Sequence, residues 1–125
     1  MCGIFGCFEN NCDNISVLMY EGLTSLQHRG QDSCGISTSN YSVKGKGLVR
    51  DVFTSEKISS INDYCAIGHV RYSTTGESKA ENLQPLFANL SLGGFACAHN
   101  GNLTNTDSLK KELVSKGAIF QTTSD

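Results

Sequence analysis

Apolar residues follow two rhythms along this chain, one of period two and one of period 3.6. Ile4, Phe5, Cys7 and Phe8 form a short apolar run bounded by polar Glu9 to Asp13, which predicts a buried strand with Cys2 at its edge. Ile15, Leu18, Met19, Gly22, Leu23 and Leu26 then recur at helical spacing behind Asn14 as candidate cap, with Gly30 placed as a C-cap glycine. Residues 34–38 and 41–46 read as short strands that pair, and 55–61 as a brief helix. Two stronger β-prone runs, 65–72 and 90–99, each empty into loops rich in Gly, Ser, Thr or Asn. Leu109, Leu113 and Val114 give a second amphipathic helix, capped by Asn105 or Thr106 and closed before Gly117, and 119–122 reads as extended.

A chain of 125 residues suits one domain, and neither an internal repeat nor a low-complexity linker divides it. Ending at Thr123-Ser124-Asp125, just past an expected buried strand, is an odd terminus for a complete domain. The expectation is therefore an incomplete fold with strands still to be added. A net charge of -2 argues against a nucleic-acid partner or an acidic membrane surface. With no export signal and no long apolar stretch, the sequence reads as cytoplasmic. That changes the meaning of the six cysteines, which in a reducing compartment stay thiols. They contain no C-x-x-C pair, so a metal site lacks support and none is expected in this segment. The N-x-[ST] matches at Asn14, Asn40, Asn89 and Asn102 carry no weight for the same reason.

Cys2 is the residue with the most chemistry. Removing Met1 would leave a thiol and a free α-amine on one residue. An α-amine with a pKa of roughly 7.7 to 8.0 can take the thiol proton and return it to a leaving amine. A cysteine in such a place is more often a small apolar residue starting a strand, so its neighbours must decide. His99-Asn100-Gly101-Asn102 follows a strand. Asn-Gly commonly makes a tight turn, yet the Gly101 N–H and the Asn100 amide could equally serve as paired donors to a developing oxyanion. Gly68-His69-Val70-Arg71-Tyr72-Ser73-Thr74-Thr75-Gly76 runs from a strand into a hydroxyl-rich loop, a fitting place for Arg71 to clamp a carboxylate rather than simply lie on the surface. In this reading His69 packs rather than reacts. Asp125 is either a partner for a substrate ammonium or a helix cap. The segment from Leu26 to Ser33 admits a structural account, a helix end with basic residues and a turn, and Gln84-Pro85-Leu86 reads as a turn beside a core leucine.

Taken together, Met1-Cys2-Gly3-Ile4-Phe5-Gly6, residues 26–35, 68–76, Gln84-Pro85-Leu86, 98–103 and Ser124-Asp125 resemble the class II, N-terminal-nucleophile glutamine amidotransferase domain. The motifs stand in family order over nearly the whole chain. Within the family, Gln27 to Ser33 and Val70 to Gly76 are most similar to the branch whose ammonia acceptor is 5-phosphoribosyl diphosphate. The sister branch that aminates fructose 6-phosphate usually has Tyr-Arg-Gly-Tyr-Asp-Ser and Thr-Arg-Trp-Ala-Thr-His-Gly there.

The resemblance implies an α+β fold, the four-layer αββα sandwich, present here as its N-terminal part. It implies that Cys2 forms a glutamyl thioester, that Asn100 and Gly101 make the oxyanion hole, that Arg71 and Thr74 hold the glutamine α-carboxylate, and that Asp125 holds the α-amine. It also implies L-glutamine as substrate, and phosphoribosyl diphosphate with Mg²⁺ in a domain beyond this segment, in a homo-oligomer. Cys34 stands where the family usually has alanine, and Leu83 where it has a small residue, so fine packing departs from the pattern while chemistry does not. The rival expectations are a sugar-phosphate-aminating relative and a glutamine-binding fragment that does not turn over.

Overall fold

The computed structural model describes residues 1–10, 12–73 and 79–124, without the side chain of Cys12. Strand β1 (Gly3–Phe8) leads through a short 3-10 turn into helix α1 (Ile15–Ser25), then β2 (Ser33–Thr38) and β3 (Ser42–Lys46). Two short helices, α2 (Val49–Val52) and α3 (Ser55–Ser59), precede β4 (Cys65–Arg71). Strands β5 (Leu86–Leu90) and β6 (Gly93–Cys97) and helix α4 (Thr106–Ser115) complete the chain. Among the described residues, β1-β4-β2-β3 form one sheet, with each of its three neighbouring pairs antiparallel, and β5-β6 form a second.

The period-3.6 stripe is what joins helix to sheet. Ile15, Met19 and Leu23 on α1 are fully buried against Ile36 of β2 and Ala66 and Val70 of β4, and α1 packs along both β1 and β4. Val49, Val52, Phe53 and Ile61, from α2 and its surroundings, extend this core beside β2 and β3. The β5-β6 hairpin covers the other face of the sheet, where β6 approaches β2. Helix layer, large sheet and small sheet thus give three layers of the αββα order.

Several local expectations change on contact with tertiary structure. Gly30 is extended (φ -160°) and is not a left-handed helix cap. It is required because a Cβ there would lie 2.5 Å from the Arg71 carbonyl carbon, so the backbone of residues 30 and 71 approaches closely. The expected strand over 90–99 is two shorter ones meeting at a turn through Ser91 and Leu92, and Leu86 starts β5. Residues 119–122 pair with no strand among the described residues, and Ile119 is 87% exposed. Helix α4 forms as expected, but Leu109, Leu113 and Val114 on its apolar side are exposed, as are Ile4 and Phe8 on β1. These uncovered apolar positions fit the expectation that further layers belong on this scaffold.

Candidate active site

Strand alternation decides which β4 residues can do chemistry. Ala66, Gly68 and Val70 point to the helices, whereas Ile67, His69 and Arg71 point into the space between the sheets. Antiparallel partners share a face. Ile4 is therefore beside His69, and continuing the Gly3↔Val70 register sets Cys2 beside Arg71. On the other side of β4, Ser33 is registered with Arg71 and Gly35 with His69. Cys2, Arg71 and Ser33 accordingly form a row across one end of the sheet.

The Cys2 thiol is held at the end of β4. The Tyr72 N–H donates to Sγ at 3.4 Å, and Sγ lies 3.8 Å from the Tyr72 carbonyl oxygen as a weak donor. Arg29, from the turn after α1, donates through Nε to the Cys2 carbonyl at 2.9 Å. This turn is itself fixed: Gln27 Nε2 donates to the Gly30 carbonyl at 2.6 Å, and Gln27 Oε1 accepts from the Val49 N–H at 2.7 Å. Residue 2 is thus anchored by its own backbone and side chain. Met1 is 76% exposed.

The loop bearing Asn100 and Gly101 is fastened one step along the same face. His69 is fully buried, and its Nε2 lies 3.1 Å from the His99 carbonyl oxygen. On the other side of that residue, the His99 N–H donates to Gln84 Oε1 at 2.7 Å. Gln84 is seated by its own neighbours: Lys44 Nζ donates to the carbonyls of Leu83 and Pro85 at 3.0 Å each, and a Cβ on Gly35 would collide with the Gln84 carbonyl oxygen. The loop therefore lies above His69, whose neighbour on the same face is Arg71. Asn100 and Gly101 are exposed, and among the described residues neither is hydrogen-bonded to Cys2. Thr74 and Asp125 lie outside the described residues.

Electrostatics separate the groups of this site from buried groups elsewhere. Burial pulls the His69 imidazole down to about 4 against the opposing hydrogen bond to His99, and the charges of Arg71 and His99 press in the same direction as burial. His69 is thus uncharged at neutral pH, consistent with a packed rather than reacting histidine. Cys34 is one residue from the Cys2-Arg71 row but on the helix face. It is 1% exposed, and burial, then Asp51, pushes its thiol up to about 12. A thiol in that state is inert, which leaves Cys2 as the nucleophile candidate of this region. A cavity of about 460 Å³ lies at the far end of β1 and β4 against Phe8, Ile67 and Phe95, and Cys2, Arg71, Asn100 and Gly101 do not line it.

Arg29 and Gln84 are the site residues that motif reading underrates. The Leu26 to Ser33 segment admits a mainly structural account, yet its arginine reaches the Cys2 carbonyl across 27 positions. The only sequence signal was the proximity of an arginine to a turn, which is too common to discriminate. Gln84 looked like part of a turn, but it is 6% exposed and a buried glutamine must find partners.

Cys2 just before β1, Arg71 in register with it and an Asn-Gly loop over the same sheet face are the features of this site, and comparison with known proteins shows the family. The chain belongs to the family of class II glutamine amidotransferases, which matches residues 1–117. It is 47% identical over 129 residues to the amidophosphoribosyltransferase of Methanocaldococcus jannaschii, covering 100% of this chain and 27% of that protein. The amidophosphoribosyltransferase of Archaeoglobus fulgidus is 44% identical over 128 residues, covering 100% of this chain and 28% of that protein. Among solved structures, the glutamine phosphoribosylpyrophosphate amidotransferase of Bacillus subtilis, complexed with ADP and GMP, superposes with a TM-score of 0.86 at 41% identity, over 100% of this chain and 27% of that one. The fold is accordingly that of the amidotransferases, and the chain spans little more than a quarter of these relatives' length.

Proposed function

We propose that this chain is the leading part of a glutaminase domain in an amidophosphoribosyltransferase, with Cys2 as its nucleophile. The observation that supports the reading is the β1-β4 register, which continued by one residue pairs Cys2 with Arg71, together with the Tyr72 N–H that donates to the Cys2 thiol. Once Met1 is removed, the α-amine of Cys2 takes the thiol proton as Sγ adds to the side-chain amide carbon of glutamine. The oxyanion that forms accepts from the Asn100 amide and the Gly101 N–H. Collapse breaks the carbon–nitrogen bond, the same amine returns the proton, and ammonia leaves a glutamyl thioester. Water then cleaves the thioester to glutamate and restores the thiol. Through this sequence Arg71, helped by Thr74, holds the substrate α-carboxylate, and Asp125 holds its α-amine. Arg29 keeps the Cys2 carbonyl in place, so that trimming Met1 leaves the nucleophile where it stands.

The names of the relatives support 5-phosphoribosyl diphosphate as the acceptor of the ammonia, giving phosphoribosylamine at the first step of purine nucleotide synthesis. In this reading the acceptor and Mg²⁺ bind a separate phosphoribosyltransferase domain, and the complete enzyme is a cytoplasmic homo-oligomer. Among the described residues no group of three or more His, Cys, Asp or Glu is placed to hold a metal ion. No described helix is long and apolar enough to cross a membrane. The test is an intact-mass measurement on the full-length protein, followed by labelling with a glutamine-like electrophile. Loss of the methionine mass and a single adduct on Cys2 are expected. Retention of Met1 in active enzyme, or an adduct on another cysteine that tracks inactivation, would overturn the reading.

A further inference from the structure

The peptide units on both sides of His99 are held by buried side chains from separate elements. The His99 N–H donates to Gln84 Oε1 at 2.7 Å, and its carbonyl oxygen lies 3.1 Å from His69 Nε2. His69 belongs to β4, in the middle of the large sheet, and is 0% exposed. Gln84 precedes β5 and is strapped to β3 by Lys44 through the carbonyls on either side of it. A carbonyl oxygen only accepts, so His69 must carry its proton on Nε2. The other ring nitrogen, Nδ1, is then an acceptor, and it is buried with no hydrogen-bond partner among the described residues. An aliphatic side chain would fill this place without stranding a polar atom. The strandedness of Nδ1 therefore points to a role for the bond made by Nε2.

What that bond controls is the residue after it. Residues 98–100 lie outside any helix or strand, so the loop has no ladder of its own to hold it. Oxyanion donors act through being fixed before the charge develops, and a misplacement of about 1 Å can cost about 100-fold in rate.

We propose that His69 and Gln84 are positioning residues, which together grip His99 so that the Asn100 amide and the Gly101 N–H face the substrate carbonyl above Cys2. The inference rests on the reading of Asn100 and Gly101 as the oxyanion hole. Neither residue touches substrate; each acts through the His99 backbone.

The test uses the full-length enzyme with glutamine. His69→Leu keeps the bulk and removes the donor, and kcat for glutamine hydrolysis should fall about 10- to 100-fold. KM for glutamine should stay within about threefold, because Arg71 is untouched. His69→Gln, whose Nε2 can donate from a similar distance, should recover most of the lost kcat, and Gln84→Met should repeat the His69→Leu pattern from the other side. A nitrogen NMR spectrum of the wild-type enzyme needs no variant and should show His69 as the Nε2–H tautomer. Unchanged kcat in His69→Leu, a KM that rises as far as kcat falls, no rescue by His69→Gln, or an Nδ1–H tautomer would each overturn the proposal. Failure of the wild type itself to hydrolyse glutamine would instead bring down the functional reading, and this inference with it.

Discussion

The two faces of strand β4 have opposite characters although they belong to the same seven residues. Toward the helices, Ala66 and Val70 are buried with Ile15, Met19, Leu23 and Ile36 in close apolar contact. Toward the second sheet, His69 and Gln84 hold the two sides of the His99 peptide, and Arg71 is registered with Ser33 on the neighbouring strand. The first face supplies burial, which dominates folding free energy. The second is built from groups that cost free energy to bury, offset by hydrogen bonds at His69 Nε2 and Gln84 Oε1 but not at His69 Nδ1 or Ser33 Oγ, which have no partner among the described residues. A strand that alternates in this way divides stability from chemistry within a single element, so substitutions one residue apart should fail in different ways.

The division should be sharpest at Cys2. Cys2→Ser in the full-length enzyme should reduce glutamine-dependent turnover by about 10⁴-fold or more while ammonia-dependent synthesis persists. Steady-state assays with each nitrogen source measure both, and substantial glutamine activity in the variant would remove Cys2 from its role. On the opposite face Leu23→Ala should do the reverse. Leu23 is fully buried, and its truncation should cost about 2 to 5 kcal/mol in a denaturant unfolding curve. At temperatures where that variant is folded, its kcat should be close to that of the parent. A large kcat loss with little change in stability would show that the two faces are not independent.

A smaller effect is expected at Arg71. Arg71→Lys keeps the positive charge but loses the planar two-donor fork, so KM for glutamine should rise about 10- to 100-fold with a lesser change in kcat. The split between the two constants is the measurement that counts. A fall in kcat at constant KM would place Arg71 in the chemical step instead of in substrate binding.

The helix face was far more legible in the sequence than the intersheet face, and the reason is physical. Ile15, Met19 and Leu23 announce themselves through spacing, because every member of a helical stripe must be apolar for the stripe to bury. β2, β3 and β4 were legible to within a residue or two for the same kind of reason. The row formed by Cys2, Arg71 and Ser33 has no comparable period, since Cys2 lies just before β1, Arg71 on β4 and Ser33 on β2, and they are joined only by register. Motif order pointed to Cys2, Arg71, Asn100 and Gly101 as candidates, but nothing local could reveal that Arg29 reaches the Cys2 carbonyl or that Gln84 holds His99. Gly30 shows the limit from the other direction. A glycine after a helix invites a cap assignment, yet here it is demanded by the Arg71 backbone across the sheet.

The two faces should also be readable at opposite ends of the pH scale. His69, on the intersheet face, has its pKa drawn from 6.5 down to about 4 by burial, with Arg71 and His99 adding to the effect. The unfolded chain binds this proton first as pH falls, so the contribution is intact above pH 6.5 and is lost between there and about 4. Cys34, on the helix face, is pushed from 9.0 up to about 12, chiefly by burial and then by Asp51, against the pull of Lys57. Here the unfolded chain loses its proton first, so stability holds below pH 9.0 and declines as pH rises toward about 12. Either slope is at most about 1.4 kcal/mol per pH unit for a single group. Unfolding curves collected across the pH range should show His69→Gln flattening the acid side alone and Cys34→Ala the alkaline side alone. If Cys34→Ala altered the acid slope, or His69→Gln the alkaline one, the faces would be coupled through β4 and the separation of stability from chemistry on that strand would not hold.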